Sequence, residues 1–222
     1  MNAETPEASE TQHAGRFPAR PAGLIFDCDG VLFDSKDANS AYYNHIRAAL
    51  GIAPMDEAEA SWAHMASTKE VLEAMAGPER FDEAMEIGRH TSYSNLFMPL
   101  MIPEPGMREF LVRAKGAGLR LALCTNRSDS VRKVLDHFDL PFFDPVITVT
   151  QAPPKPDPHG LLSILQIWGA GREEVAYVGD SLVDEQAGRA ANIPFVAFKN
   201  PGLAAALHVD NYAAFARTLF GD

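Results

Sequence analysis

The 222-residue sequence predicts an α/β fold: a Rossmann-like parallel sheet with helices on both faces, plus an inserted all-α unit. Two observations predict it. From Met107 to about Phe198, helical stretches alternate with short apolar strands, which is typical of βαβ units and a parallel sheet. Between residues 36 and 103 the pattern is helical, with almost no β-branched runs, which indicates an insert built from helices.

The elements follow in order along the chain. Residues 1–22 are polar, contain three prolines and are predicted to be a loose tail. Leu24-Ile25-Phe26 is predicted as the first buried strand, and Asp34 and Ser35, where the chain enters the insert, as a hinge and a helix cap. Later helices are predicted at 107–117, 129–139, 158–168 and 184–191, and later strands at 119–124, 146–149, 175–178 and 195–198. The predicted organisation is a tail at 1–22, a core at 23–35 and 104–222, and a helical insert at 36–103.

Composition excludes several classes of protein. The chain has 19 Lys and Arg against 30 Asp and Glu, a net charge of −11, which disfavours nucleic acid and anionic membrane as partners. No apolar run approaches the roughly 20 residues of a membrane helix, and residues 1–22 lack the apolar region of a secretory signal, so a cytoplasmic location is expected. Two cysteines exclude a disulfide scaffold and a cysteine zinc cage.

Polar side chains follow four of the predicted strands at the point where each strand ends. In open α/β sheets, ligands bind outside the carboxyl ends of the strands. The residues at these ends are Asp27 and Asp29, Thr125, Lys155, and Asp180 with Asp184 one helical turn later. We therefore expect them to share one site.

This set of residues is suited to phosphoryl transfer. Asp27, Asp29 and Asp180 can supply the hard oxygen ligands of an octahedral Mg²⁺, and Lys155 adds a second source of positive charge. With that charge in place, an anionic phosphoryl group can approach a carboxylate nucleophile, which like charges otherwise prevent. The nucleophile would then form an aspartyl-phosphate.

Four short segments also resemble a known family. Asp27-x-Asp29-Gly30, Thr125-Asn126, Lys155-Pro156 and Gly179-Asp180-Ser181-x-x-Asp184 resemble motifs I to IV of the haloacid dehalogenase superfamily, in order. The resemblance spans residues 23 to about 202. It is strongest to the phosphoglycolate phosphatase-like branch, in which a helical cap of the C1 type is inserted between motifs I and II.

The resemblance implies a Mg²⁺-dependent phosphatase acting on a small phosphorylated metabolite, either phosphoglycolate-like or a sugar phosphate. It implies that Asp27 attacks phosphorus, and that Asp29 protonates the leaving alkoxide and then activates the hydrolytic water. An acid at position 29 fits cleavage of a P–O bond, because an alkoxide leaving group needs a proton.

The resemblance assigns roles to the remaining motif residues as well. Thr125 and the backbone of Asn126 are implied to bind the transferred phosphoryl group, and Lys155 to orient the nucleophile. Asp180 is implied to bind Mg²⁺ together with Asp27 and the Asp29 carbonyl. Asp184 is implied to hold either a metal-bound water or Lys155.

Substrate specificity is expected in the insert. Its polar segment at His64, Ser67, Thr68 and Lys69 precedes a helix N-terminus and resembles the specificity loop of the cap in position. An ordinary polar loop between helices explains it about as well. Arg127 is a candidate for binding an anionic substrate tail, and a surface arginine is the alternative.

Two other functions remain open at this point. A phosphomutase of the β-phosphoglucomutase type would share all four motifs. Members of that branch resemble one another in an Arg and a His in the first cap helix, whereas this chain has His45 and Arg47 in the reverse order, which argues against a mutase. A non-catalytic phosphate-binding module would be indicated by a missing motif residue, and none is missing. Neither the physiological substrate nor the oligomeric state follows from the sequence.

Overall fold

The computed structural model describes residues 16–221. The strands are β1 (Gly23–Phe26), β2 (Phe33–Asp34), β3 (Ile102–Pro103), β4 (Arg120–Cys124), β5 (Val146–Ile147), β6 (Val175–Gly179), β7 (Phe195–Phe198) and β8 (Leu207–Val209). The helices are α1 (Lys36–Ala49), α2 (Glu57–Met65), α3 (Thr68–His90), α4 (Tyr93–Leu96), α5 (Met107–Gly116), α6 (Val131–His137), α7 (His159–Trp168), α8 (Leu182–Ala191) and α9 (Tyr212–Phe220). Single turns of 3₁₀ helix lie at Met98–Leu100 and Arg172–Glu174.

Six of these strands form one parallel sheet in the order β5-β4-β1-β6-β7-β8. The chain builds outward from β1 to β4 and β5, then crosses back to add β6 on the other side of β1. This reversal places the carboxyl end of β1 at the switch point of the sheet, where ligands bind in open α/β folds. The predicted α/β class with a parallel sheet is confirmed.

The core of the sheet has two apolar faces. Leu24 and Phe26 of β1 pack in one cluster with residues of α5 and α9, while Ile25 packs in the other with residues of α7 and α8. Alternate residues of a strand point to opposite faces, so both faces of β1 are covered and all four of its residues are buried. This buried central strand fixes the position of the residues that follow it.

The helical insert has an apolar cluster of its own, which includes Tyr43, Ile46, Leu72 and Ala84. The insert's two ends are joined by the antiparallel pair of β2 and β3. We retain 36–103 as the proposed limits of the insert, and this strand pair lies at those limits. Among the described residues, no helix has both the length and the apolar character needed to cross a membrane.

Several local predictions differ from the structure. The strand predicted at 146–149 ends at Ile147, because Thr148 turns to bond with Asp129 and Gln151. β8 and α9 were not among the predicted elements. Ser35 precedes α1 but makes no side-chain cap bond, because its hydroxyl donates to Asp29 instead.

The predicted loose tail lies mostly at residues 1–15, outside the described residues. Its last part contacts the core: the ring of Phe17 meets that of Phe215 edge-on at 6.3 Å between centroids, and Pro21 is buried. The Ala22 N–H also donates to the Glu174 carbonyl at 2.6 Å. Residues 17–22 therefore differ from the prediction, because they bury apolar surface against the core.

Candidate active site

The predicted polar residues converge at the carboxyl edge of the sheet. Asp27 directly follows β1, Thr125 follows β4 and Asp180 follows β6. Asp27 and Asp180 lie at the floor of a cavity of about 610 Å³ whose walls come from the insert and from the loops after the strands, and Thr125 is buried next to Asn126 of the lining. This volume is within the range of roughly 300–1,000 Å³ typical of ligand pockets.

Lys155 is buried between two carboxylates. Its Nζ lies 2.7 Å from Asp27 Oδ1 and 2.6 Å from Asp184 Oδ1, and it donates to the Tyr177 hydroxyl at 3.1 Å. Burial opposes the charge, but the two carboxylates outweigh it and hold the pKa of Lys155 above its ordinary value. Lys155 is therefore an ammonium that fixes one oxygen of Asp27.

Asp184 is fully buried, and both of its carboxylate oxygens accept hydrogen bonds from the protein. Lys155 and the Tyr177 hydroxyl donate to Oδ1, and the hydroxyl and N–H of Ser181 donate to Oδ2. Burial raises the pKa of Asp184, but Lys155 and these hydrogen bonds bring it below the ordinary value. Of the two contacts that the resemblance implies for Asp184, the structure contains the one with Lys155.

Asp27 and Asp180 form a pair of carboxylates with unused oxygen atoms. Oxygens of Asp27, Asp180 and Asp184 lie within 4.8 Å of one another. Burial raises the pKa of Asp27 to about 7 despite Lys155, and burial together with the charges of Asp184 and Asp27 raises the pKa of Asp180 to about 8. Within residues 16–221, no donor bonds to the Asp180 side chain. The negative charge of these oxygen atoms is offset by few neighbouring groups. Carboxylate oxygens in such a setting are suitable ligands for a divalent cation.

Gly30 makes room for this pair. Its φ is +73°, a left-handed conformation that favours glycine, and a Cβ at this position would collide with the Asp180 carboxylate. The Asn200 side chain supports the same loop by donating to the Asp180 carbonyl at 2.8 Å. The close approach of residue 30 to Asp180 is thus built into the backbone.

Asp29 is held by Arg127 in a two-pronged ion pair. Nε of Arg127 donates to Oδ2 at 2.7 Å and Nη2 donates to Oδ1 at 2.6 Å. The Ser35 hydroxyl and the Asn39 amide, at 3.3 Å, also donate to Oδ1. Burial opposes ionisation, but Arg127 outweighs it and lowers the pKa of Asp29 below its ordinary value. In this arrangement Asp29 is a carboxylate, the form suited to accept a proton from water.

Arg127 also contacts both ends of the insert. Nη2 donates to Asn39 Oδ1 at 2.9 Å, where α1 begins, and to the Tyr93 hydroxyl at 3.2 Å, where α4 begins. The Tyr93 hydroxyl donates in turn to Asn39 Oδ1 at 2.9 Å. The sequence analysis missed Asn39 and Tyr93, because they lie 54 residues apart and neither belongs to a motif.

Asn126 links the insert to the loop that carries Lys155. Its Nδ2 donates to the Met65 carbonyl at 3.0 Å and to the Lys155 carbonyl at 3.3 Å, and its Oδ1 accepts the Lys155 N–H at 2.7 Å. Thr125 is buried beside it, and its hydroxyl oxygen accepts the Arg127 N–H at 3.1 Å. Asn126 lines the cavity together with Asp27, whereas Thr125 is buried directly before it. The phosphate-binding role of the two residues stays a prediction.

The four insert candidates are placed differently. His64, Thr68 and Lys69 line the cavity, and His64 Nδ1 lies 3.4 Å from Asn39 Nδ2. Ser67 does not line it, because its hydroxyl is used in a capping box with Glu70 at the start of α3. Three of the four therefore remain candidates for contact with a substrate.

Comparison with known proteins adds independent information. A model of the haloacid dehalogenase-like hydrolase family matches residues 24–198. A phosphoglycolate phosphatase of Pseudomonas putida is 30% identical over 186 residues, which cover 79% of this chain and 68% of that protein. A subfamily IA hydrolase of the same superfamily from Geobacter sulfurreducens is 37% identical, with a TM-score of 0.73 over 92% of this chain and 99% of the other. A β-phosphoglucomutase from Clostridium difficile, at 19% identity, shares the fold with a TM-score of 0.78 over 90% of this chain and 98% of that one.

Proposed function

Because the chain belongs to the haloacid dehalogenase-like hydrolase family, we propose that this phosphatase hydrolyses the monoester of a small phosphorylated metabolite through an aspartyl-phosphate on Asp27. One observation carries the proposal. Lys155 Nζ lies 2.7 Å from Oδ1 of Asp27, and Asp27 lines the cavity. A carboxylate that is fixed at one oxygen presents the other to a ligand in a defined direction.

The first half of the reaction transfers the phosphoryl group to Asp27. The free carboxylate oxygen forms a bond to phosphorus, and the bond from phosphorus to the ester oxygen breaks. Thr125 and the Asn126 N–H supply hydrogen bonds to the phosphoryl oxygens, and Lys155 offsets their charge. Asp29 first takes a proton from bulk water and gives that proton to the departing oxygen, which returns Asp29 to the carboxylate form that Arg127 stabilises.

The second half releases phosphate. Asp29, again a carboxylate, takes a proton from water, whose oxygen attacks the phosphorus of the aspartyl-phosphate, and the bond to Asp27 breaks. Arg127 favours this ionised form of Asp29, because the two-pronged pair stabilises the negative charge. The contact with Arg127 also holds the Asp29 side chain in one orientation for both half-reactions.

We propose Mg²⁺ as the metal, held by Asp27 and Asp180 with the Asp29 carbonyl. The bound ion would offset the negative charge of the carboxylates and of the phosphoryl group. Asp184 is already bonded at both oxygens, so we assign it to holding Lys155 rather than to direct metal binding.

The proposed substrate is phosphoglycolate-like, with a sugar phosphate as the alternative. The Pseudomonas putida relative is a phosphoglycolate phosphatase, and the cavity has room for a small ester. The lack of nucleic-acid and membrane partners belongs to this proposal and rests on the net charge of −11. The cytoplasmic location is carried over from the sequence analysis as an expectation.

A mutase is the second candidate, because a β-phosphoglucomutase shares the fold. The two residues that could have supported it do not line the cavity: Arg47 is buried in the insert and paired with Glu59 at 3.0 Å, and His45 is exposed. A Mg²⁺-dependent screen of phosphorylated metabolites separates the two. Free phosphate as the product supports the phosphatase, whereas an isomerised sugar phosphate without net phosphate release would establish the mutase.

Gly30→Ala is expected to abolish the effect of Mg²⁺ on both turnover and melting temperature, because the new Cβ displaces the Asp180 carboxylate. Gly51→Ala is the matched control. Its φ of +69° is nearly the same as that of Gly30, but no atom lies within 4 Å of the added Cβ. Both variants bear a strain of about 1–2 kcal/mol, and only Gly30→Ala disturbs the site. Equal responses of the two variants to Mg²⁺ would contradict the metal assignment.

A further inference from the structure

Arg127 has a position that its contact with Asp29 does not fully explain. Its side chain is only 10% exposed, yet the residue lines the cavity. Nε and Nη2 make all of its side-chain hydrogen bonds to Asp29, Asn39 and Tyr93. Among the described residues none accepts a bond from Nη1, which leaves that end of the guanidinium as a donor for a ligand in the cavity.

The location of Arg127 decides which part of a substrate it can meet. In the proposed reaction the leaving oxygen lies against Asp29, and Arg127 is bonded directly to Asp29 at 2.6 and 2.7 Å. A group attached one carbon away from the leaving oxygen therefore lies within reach of the Arg127 side chain. The Arg127 guanidinium is thus placed to bind a group on the leaving portion of the substrate.

The charges around the cavity favour an anion there. Residues 36–103 contain 10 acidic and 5 basic residues, so the insert is acidic as a whole. Among the described residues, the charged side chains that the insert contributes to the cavity wall are nevertheless cationic. They are Lys69 and Arg89, whose acidic partners Glu73 and Glu86 do not line the cavity. The α/β part of the chain contributes a further cation, Lys133, to the cavity lining. The only carboxylates lining the described cavity are those at its floor, Asp27, Asp29 and Asp180.

Resting on the proposed phosphatase function, we propose that Arg127 selects esters whose leaving group bears a carboxylate next to the leaving oxygen. A planar carboxylate is the partner that this guanidinium already binds, through its contact with Asp29, and the Nη1 end can take a second one. Asn39 and Tyr93 hold the guanidinium in place for it. Arg127 is therefore a specificity-determining residue as well as the partner of Asp29.

The test compares two primary alkyl phosphates that share an O–CH₂–C skeleton, across a set of variants. The esters are 2-phosphoglycolate and 2-hydroxyethyl phosphate, in which a neutral CH₂OH replaces the carboxylate. The measured quantity is kcat/KM for the acid divided by kcat/KM for the neutral ester. Any damage that a variant causes through Asp29 affects both esters and cancels in this ratio.

Wild type is expected to prefer the acid, and Arg127→Met to lower the ratio by about 10- to 100-fold, the effect of losing a charge-assisted hydrogen bond. The ratio for Arg127→Lys is expected to lie between those of wild type and Arg127→Met. Lysine keeps the positive charge but lacks the planar set of N–H donors of a guanidinium. Lys133→Met is the control for general attraction, since it removes a cavity-lining cation of α6 that is not bonded to Asp29 within the described residues, and it is expected to change the ratio much less.

A second measurement does not depend on turnover. In the Asp27→Asn background, calorimetry is expected to show weaker binding of 2-phosphoglycolate when Arg127→Met is added, with binding of 2-hydroxyethyl phosphate little changed. Equal losses for both esters would show that Arg127 acts only through Asp29 and would overturn the inference. Asp27-dependent hydrolysis of an aryl phosphate with no preference for the acid would overturn it too, while leaving the proposed function intact. A failure of the proposed function is distinct, because wild type would then release phosphate from no ester.

Discussion

Asp27→Asn is expected to lower kcat by at least about 10³-fold on any substrate, because the amide removes the nucleophile of the proposed reaction. The fold should survive, since the change is nearly isosteric and Asp27 lies at the end of β1 where the cavity begins. The measurement is Mg²⁺-dependent phosphate release under saturating substrate. Rapid quenching of wild type with ³²P-labelled ester should also trap label on residue 27.

The matched control for this variant is Asp34→Asn. Asp34 is exposed in β2, only seven positions along the chain, and it makes no contact with the cavity lining. Its turnover is expected to stay within about twofold of wild type, as is usual for surface substitutions. Near-wild-type turnover by Asp27→Asn, with the asparagine verified by mass spectrometry to be intact, would refute the proposed nucleophile.

Lys155→Met is expected to destabilise the protein by about 3–5 kcal/mol and to abolish turnover. Both effects have one cause: the ammonium lies between Asp27 and Asp184, and its removal takes away the positive charge that these two buried carboxylates share. The free energy of unfolding, measured in urea, gives the first effect, and phosphate release gives the second.

A double variant separates the two effects of Lys155. Adding Asp184→Asn to Lys155→Met removes one of the orphaned charges, so we expect it to recover part of the lost stability but none of the activity. The coupling between the two positions should then be clearly non-additive. Additive losses, or activity that returns together with stability, would show that Lys155 does not act as the shared partner of the two carboxylates.

The core of the site was predictable from sequence because its residues come at the ends of strands. A buried apolar run such as Leu24-Ile25-Phe26 predicts a strand, and the parallel alternation predicts that residues after different strands meet at one edge. Asp27, Thr125 and Asp180 follow directly from that reasoning. The four motifs also lie where the apolar pattern places the ends of the predicted strands.

The contacts of the insert could not be predicted in this way. Asn39 and Tyr93 meet Arg127 only because the first turns of α1 and α4 come together there, and helical periodicity does not specify how the helices of an insert face a core. At Ser67 the sequence predicts a contact with substrate, whereas the structure places the residue outside the cavity lining. Its polar side chain before a helix fits a binding loop and a capping box equally well, and the bond to Glu70 decides for the cap.

The strand pair β2–β3 has a consequence for how this enzyme can be recombined. It brings the two ends of the insert side by side, and the insert carries its own apolar cluster. An insert from a relative can therefore be grafted between these strands if it replaces the apolar side chains that Ala38, Phe97 and Met98 contribute to the core of the sheet. Such a chimera would keep both its hydrolytic chemistry and Arg127 from the host, on one further condition. The grafted unit must bring an Asn and a Tyr to the positions of Asn39 and Tyr93, since these are the side chains through which the two modules share Arg127.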